Sequence, residues 1–189
     1  MKNIAIFASG SGTNAENIIN YFKNNDDVNI ALIVSNKKDA YVLERAKKYG
    51  IRTSVLPKKD FQNKEKVLQL LKENNIDFIV LAGFLLLIPE FLIDEYPDKI
   101  INIHPALLPK YGGKGMYGDN VHKAVIEAKE KESGITIHYV NKDYDKGEII
   151  FQAKCKIDEN DSYQDLASKI HSLEYEYFPK IIEQVLEGK

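Results

Sequence analysis

Asn102 and His104 stand two residues apart within Asp98-Lys-Ile-Ile-Asn-Ile-His-Pro-Ala-Leu-Leu-Pro-Lys-Tyr-Gly-Gly, residues 98–113. In an extended strand that spacing sends both side chains to one face, roughly 6.6 Å apart along the chain. Pro105 biases His104 toward extended backbone, so the pair stays aligned at the strand's end. An imidazole moves protons near neutral pH, and a fixed amide donates to a developing oxyanion. A carboxylate comes from the stretch Asn141-Lys-Asp-Tyr-Asp-Lys-Gly, which holds Asp143 and Asp145. A solvated turn accounts for Asp143. Asp145 lies nearer Gly147, where the backbone can approach a site; facing His104, it would raise the imidazole's pKa and hold a water. His138 either lines the same pocket or packs in the core, while His122 and His171 read as surface or supporting groups on helices. One cysteine and scattered histidines give no metal-ligand spacing, so no metal is expected.

A second chemical feature is Gly10-Ser-Gly-Thr-Asn, between an apolar run and an amphipathic stretch. Glycines let the backbone turn sharply, and the free amides of a helix N-terminus attract an anion. Gly12, Thr13 and Asn14 are placed to cradle a phosphate. The pattern Gly10-x-Gly12-x-x-Ala15 also fits a dinucleotide fingerprint, but Val34-Ser-Asn-Lys-Lys lacks the acidic residue expected after the second strand. A simple tight turn is the remaining alternative.

The elements that must position these groups follow from periodicity. Strands are expected at Ile4–Ala8, Ile30–Val34, Arg52–Leu56, Phe78–Ala82 and Ile100–Ile103. Their continuous apolar runs mark strands covered on both faces, and the most apolar, Phe78–Ala82, belongs near the sheet centre. Helices alternate with them: one carrying Ile18, Ile19 and Phe22 inward; Ala40–Tyr49 capped by Asp39; Lys64–Asn74; a short one over Pro89–Glu95; and Asn120–Lys131. Then two strands, Gly134–Val140 and Glu148–Ile157, are joined by a loop too short for a crossover helix, so they must be antiparallel. A long helix, Ser162–Leu186, closes the chain, capped by Asp161 or Ser162 and kinked at Pro179. The fold class is α/β: a doubly wound, mostly parallel, Rossmann-like sheet with an antiparallel C-terminal strand pair and a long C-terminal helix.

At 189 residues, 44% hydrophobic and 29% charged, the chain is expected to form one domain, residues 1–189. Its net charge of −2 gives no global field for nucleic acid or an anionic membrane. The longest apolar run, Phe78–Ile88, is too short to span a bilayer, and the N-terminal run is too short for a secretory signal. Cys155 alone fits a reducing compartment and reads as a small buried hydrophobe. A cytoplasmic protein without a nucleic-acid or membrane partner, monomer or homodimer, is expected.

Ser9-Gly-Ser-Gly-Thr-Asn, Ser35-Asn-Lys, Leu43-Glu-Arg-Ala, Leu81-Ala-Gly-Phe, Asn102-Ile-His-Pro-Ala-Leu-Leu-Pro-Lys-Tyr and Asp145-x-Gly-x-Ile-Ile occur in that order. Together they resemble the phosphoribosylglycinamide formyltransferase family, over essentially the whole chain. The resemblance implies the formyltransferase fold and a one-carbon transferase of purine biosynthesis, which moves the formyl group of 10-formyltetrahydrofolate to the amine of glycinamide ribonucleotide. It implies Asn102, His104 and Asp145 as catalytic residues, and Gly12, Thr13, Asn14 and Glu174 as contacts to the ribonucleotide. Lys64, Leu85, Leu86, Leu87, Ile88 and Asn102 fall on the folate side. Lys64 and Leu86 stand where commoner members have arginines. The N-terminal half is then expected to bind phosphate and ribonucleotide, the C-terminal half folate and the reacting groups. Same-fold rivals are a formyltetrahydrofolate deformylase, which usually carries an extra N-terminal domain, and a tRNA formyltransferase, which wants a further C-terminal domain and a basic face. A non-catalytic nucleotide-binding module would leave Asn102, His104 and Asp145 without mutual geometry.

Overall fold

A computed structural model describes residues 1–143 and 145–188. The chain forms two compact units, Met1–Ile101 and the part from Asn102 onward. Seven strands lie in the order β3-β2-β1-β4-β5-β6-β7.

The first unit begins with β1 (Lys2–Phe7), α1 (Thr13–Phe22), β2 (Val28–Ser35), α2 (Tyr41–Lys48) and β3 (Arg52–Val55). It continues through α3 (Lys58–Phe61), α4 (Lys64–Glu73), β4 (Phe78–Leu81) and α5 (Glu90–Glu95). β1 pairs in parallel with β2 on one side and β4 on the other, so the winding direction reverses at β1. Open α/β sheets bind their ligands in the crevice at such a reversal, beyond the carboxyl ends of the strands. The loops after β1 and β4 are the ones that border this reversal. The apolar runs are buried as their composition requires: Ile4, Ile6, Phe7, Leu32, Ile33 and Ile79 have no accessible surface. Phe7, Phe61 and Phe84 meet edge to face at 5.1–6.0 Å, fixing the segment after β4 against the core.

β5 (Ile100–His104) leads into the second unit, with α6 (Asp119–Glu127), β6 (Glu132–Tyr139), β7 (Ile149–Lys156) and α7 (Tyr163–Leu186). β6 and β7 are antiparallel, as the short connection dictates. Gly134 is essential to that pairing, because a Cβ there would stand 1.9 Å from the Ala153 carbonyl oxygen. α7 starts with a full capping box: the Ser162 hydroxyl accepts from the Asp165 N–H, and the Asp165 carboxylate accepts from the Ser162 N–H. Asp161 instead accepts from the Asp158 N–H. The helix continues past Pro179, which is buried. Leu166, Ile170, Phe178, Ile181 and Ile182 form its inner face.

Local expectations changed in three places. α2 is capped at Ala40, not Asp39, because the Gly10 carbonyl takes the Val42 N–H of its first turn and leaves a side-chain cap nothing to do. α3 is an extra turn after Pro57, and it places Phe61 in the core. α6 stops at Glu127, and Lys129 takes a left-handed φ of 54°. Among the described residues no helix is long and apolar enough to cross a membrane.

Two substitutions test the second unit's packing by urea unfolding. Gly134→Ala should cost about 1–3 kcal/mol through the forced clash with β7. Ser162→Ala should cost about 1 kcal/mol by removing the cap.

Candidate active site

Within the second unit, β5 delivers Asn102 and His104 to one face, as the two-residue spacing requires. The left-handed backbone of Asp145 (φ 52°) turns its carboxylate inward from the loop between β6 and β7. Asp145 Oδ2 lies 3.6 Å from His104 Nδ1, and Oδ1 lies 3.6 Å from His138 Nε2. The Gly113 N–H donates to Oδ2 at 2.9 Å. His138 Nδ1–H donates to the Tyr139 carbonyl at 2.8 Å, which leaves Nε2 to accept from the Asn102 amide at 3.1 Å. That contact fixes the Asn102 rotamer and keeps the second amide hydrogen available. The three expected catalytic residues therefore converge, and His138, left open between pocket and core, joins them.

Burial and charge pull His104 in opposite directions. The residue is 3% exposed. Burial pushes its pKa down; Asp145, the Tyr111 carbonyl and Glu174 push it up, and His138 pushes it down again. The net result lies below the ordinary 6.5. The expected upward pull of Asp145 is real, but desolvation outweighs it. Asp145 shows the converse balance: burial raises its pKa, but His138, His104 and the Gly113 N–H together bring it below the usual carboxylate range. Asp143 is the exposed turn residue expected of it, capped locally by Asn141.

Glu174 is in the second unit too, 5% exposed on α7, where His171 Nδ1–H donates to it at 2.9 Å. His122 is also buried, which excludes the surface alternative and leaves the supporting one. Its Nδ1 has no hydrogen-bond partner among the described residues, and burial lowers its pKa. Burial raises the Cys155 thiol, which fits a structural role.

In the first unit Gly12 caps α1 with φ 75°, and no side chain caps the helix. The first-turn amides, from Thr13 and Asn14 on, lack a side-chain cap, the arrangement in which a helix start can take an anion. A Cβ on Gly12 would lie 2.4 Å from Val42 Cγ2, so the loop is pressed against α2. Arg45 braces it further, donating from Nε to the Ser11 carbonyl at 2.8 Å and pairing with Glu16. Ser9, missed in the sequence, ties this loop to the segment after β4. Its N–H donates to the Gly83 carbonyl, its hydroxyl donates to Asn36 Oδ1 at 2.5 Å, and it accepts from the Leu85 N–H at 2.9 Å. The signal was present, since Ser35-Asn-Lys and Leu81-Ala-Gly-Phe are the stretches Ser9 binds. Leu85 and Leu87 are 38% and 40% exposed, Leu86 is half-buried, and Ile88 is buried in the core. Lys64 is exposed at the first position of α4.

His104 and His122 make stability pH-dependent with a defined sign. Their folded-state pKa values lie below 6.5. The unfolded chain therefore binds protons that the folded chain excludes, and stability falls as pH drops below about 6.5. His171 works the other way, since Glu174 raises it. Urea midpoints measured from pH 7.5 to 5 should decline, and His122→Leu should flatten the decline.

The formyl transferase family model matches residues 2–182. The chain is 38% identical over 191 residues to the phosphoribosylglycinamide formyltransferase of Bacillus subtilis, covering 98% of this chain and 95% of that one. It is also 38% identical to the chloroplastic phosphoribosylglycinamide formyltransferase of Arabidopsis thaliana, covering all of this chain and 66% of that protein. The crystal structure of phosphoribosylglycinamide formyltransferase from Bacillus halodurans superposes with a TM-score of 0.89 at 40% identity, over 98% of this chain and 95% of that chain. Since the likeness runs from the glycine loop through the long terminal helix, the chain belongs to the formyl transferase family.

Proposed function

We propose that this chain transfers the formyl group of 10-formyltetrahydrofolate to the amine of N1-(5-phospho-D-ribosyl)glycinamide, forming the N-formyl product in purine biosynthesis. The observation that carries the reading is the meeting of Asn102, His104, His138 and Asp145 at hydrogen-bond and ion-pair distances, in a chain of this family. The substrate amine attacks the formyl carbon, making a C–N bond and a tetrahedral oxyanion. The free hydrogen of the Asn102 amide donates to that oxyanion. His104, neutral at rest, takes on Nδ1 beside Asp145 the proton shed by the attached amine, and the imidazolium steadies the same charge until that proton is passed on. Asp145 supports the imidazolium and positions a water that relays the amine's proton to N10 as the C–N10 bond breaks.

The anion site of Gly12, Thr13 and Asn14 fits the ribonucleotide phosphate, and buried Glu174 fits a polar contact to the same substrate. The apolar edge Leu85–Leu87, with backbone from Ile88 and a cation at Lys64, fits the pterin and glutamate parts of the folate. We assign residues 1–189 to one formyltransferase domain on the extent of the family match.

Purified protein mixed with both substrates should release tetrahydrofolate only when the ribonucleotide is present. Release without it would mean a deformylase, and no release would end the proposal. His104→Ala should lower kcat about 10²–10⁴-fold with little change in KM. Gly12→Ala forces a Cβ into Val42 at a left-handed φ, and should raise the KM for the ribonucleotide while leaving that for the folate unchanged.

A further inference from the structure

Tyr111 sits seven residues after His104, in a left-handed conformation (φ 56°) that a non-glycine residue holds only when its surroundings enforce it. Its carbonyl oxygen is 2.7 Å from His104 Nε2. A carbonyl only accepts, so Nε2 carries the proton, and a second proton must go to Nδ1, which faces Asp145 Oδ2 at 3.6 Å. The Tyr111 carbonyl thus sets the tautomer of His104. At the other end of the residue, the Tyr111 hydroxyl donates to Glu130 Oε1 at 2.9 Å. Lys110 Nζ donates to the same oxygen at 2.9 Å. Glu130 follows the end of α6, beside Lys129, which is itself left-handed at φ 54°. Gly112, next in the chain, has no room for a Cβ, which would meet Leu108 Cδ2 at 2.6 Å and Asp145 Cβ at 3.3 Å. Tyr111 is therefore pinned at its hydroxyl by Glu130 and followed by a residue pressed against Leu108 and Asp145.

We propose that Glu130 is a positioning residue for catalysis: by tethering the Tyr111 hydroxyl it holds the Tyr111 carbonyl on His104 Nε2, and so fixes the nitrogen that takes a proton beside Asp145. The inference rests on the formyl-transfer reading only for its effect on rate; its effect on the imidazole is independent of any substrate. Without the tether the neutral ring is free to place its one proton on Nδ1 and donate to Asp145. The titratable groups whose charge acts on the ring are Asp145 from the β6–β7 loop, His138 from β6, Glu174 from α7 and His122 from α6. Tyr111 and Lys110 flank Glu130 directly and respond to it: hydrogen bonding raises the lysine and lowers the glutamate from their ordinary values.

The test combines imidazole ¹⁵N NMR of His104 in the ligand-free protein with steady-state kinetics, on Glu130→Ala, Glu130→Gln, Tyr111→Phe, Lys110→Ala and the Glu130→Ala/Tyr111→Phe double variant. Wild type and Glu130→Gln, which keeps an acceptor for the hydroxyl, should show the Nε2–H tautomer. Glu130→Ala and Tyr111→Phe should shift population to Nδ1–H and lower kcat about tenfold or more, with KM within twofold. The double variant should be no worse than either single one. Lys110→Ala removes an exposed ion pair and should change kcat less than twofold. Retention of Nε2–H in both Glu130→Ala and Tyr111→Phe would overturn the proposal, as would additive losses in the double variant. A wild-type protein without formyl transfer would sink the functional reading instead, while the NMR arm still decides the tether.

Discussion

A carboxylate held away from water between two imidazoles is the interaction on which the second unit's chemistry depends. Asp145 is 3.6 Å from a ring nitrogen of each of His104 and His138 and accepts from the Gly113 N–H. Left alone in such a place, a carboxyl would be driven toward its neutral form. The Gly113 N–H, and the charge that the His104 ring gains when it takes a second proton, reverse that preference. The cost falls on the backbone, since Asp145 and Tyr111 both take left-handed φ values. It falls also on His104, whose burial keeps it uncharged until a proton arrives beside the carboxylate. Such a ring is poised to gain charge during a reaction, because the partner that stabilises the charge is already in place.

The same economy of contacts explains motifs that carry no obvious chemistry. In Leu43-Glu-Arg-Ala the arginine braces the Ser11 carbonyl and pairs with Glu16. Asn36 accepts the Ser9 hydroxyl, and Gly83 accepts the Ser9 N–H. The glycine loop is thus held from three neighbouring stretches, and among the described residues no side chain caps α1.

Family membership also narrows the glycine loop's meaning. Gly10-x-Gly12-x-x-Ala15 fits a dinucleotide turn literally, but Val34-Ser-Asn-Lys-Lys lacks the acidic residue that a dinucleotide site needs. Gly12 is a left-handed helix cap pressed on Val42, a conformation either ligand class can use. The match to the formyl transferase model runs through this loop, over residues 2–182.

Much was legible in the sequence because it depends on local periodicity. Alternating strands and helices, the antiparallel β6–β7 pair and the shared face of Asn102 and His104 follow from a strand's two-residue repeat and a short connection. The Ser162 cap was one of two candidates, and only the Asp165 partner distinguished it from Asp161. The Asp39 cap failed because a distant carbonyl, Gly10, had satisfied the helix's first turn. His122 stands open in the sequence between a surface and a supporting group, because one polar residue on a helix does not reveal what packs over it. The sequence determined which residue types stand on which face, since that is set by the backbone's own repeat. Tertiary structure alone decided that burial outweighs Asp145 at His104, that His138 turns toward Asn102, and that Glu130 reaches Tyr111, because desolvation and hydrogen bonding depend on neighbours brought from far along the chain.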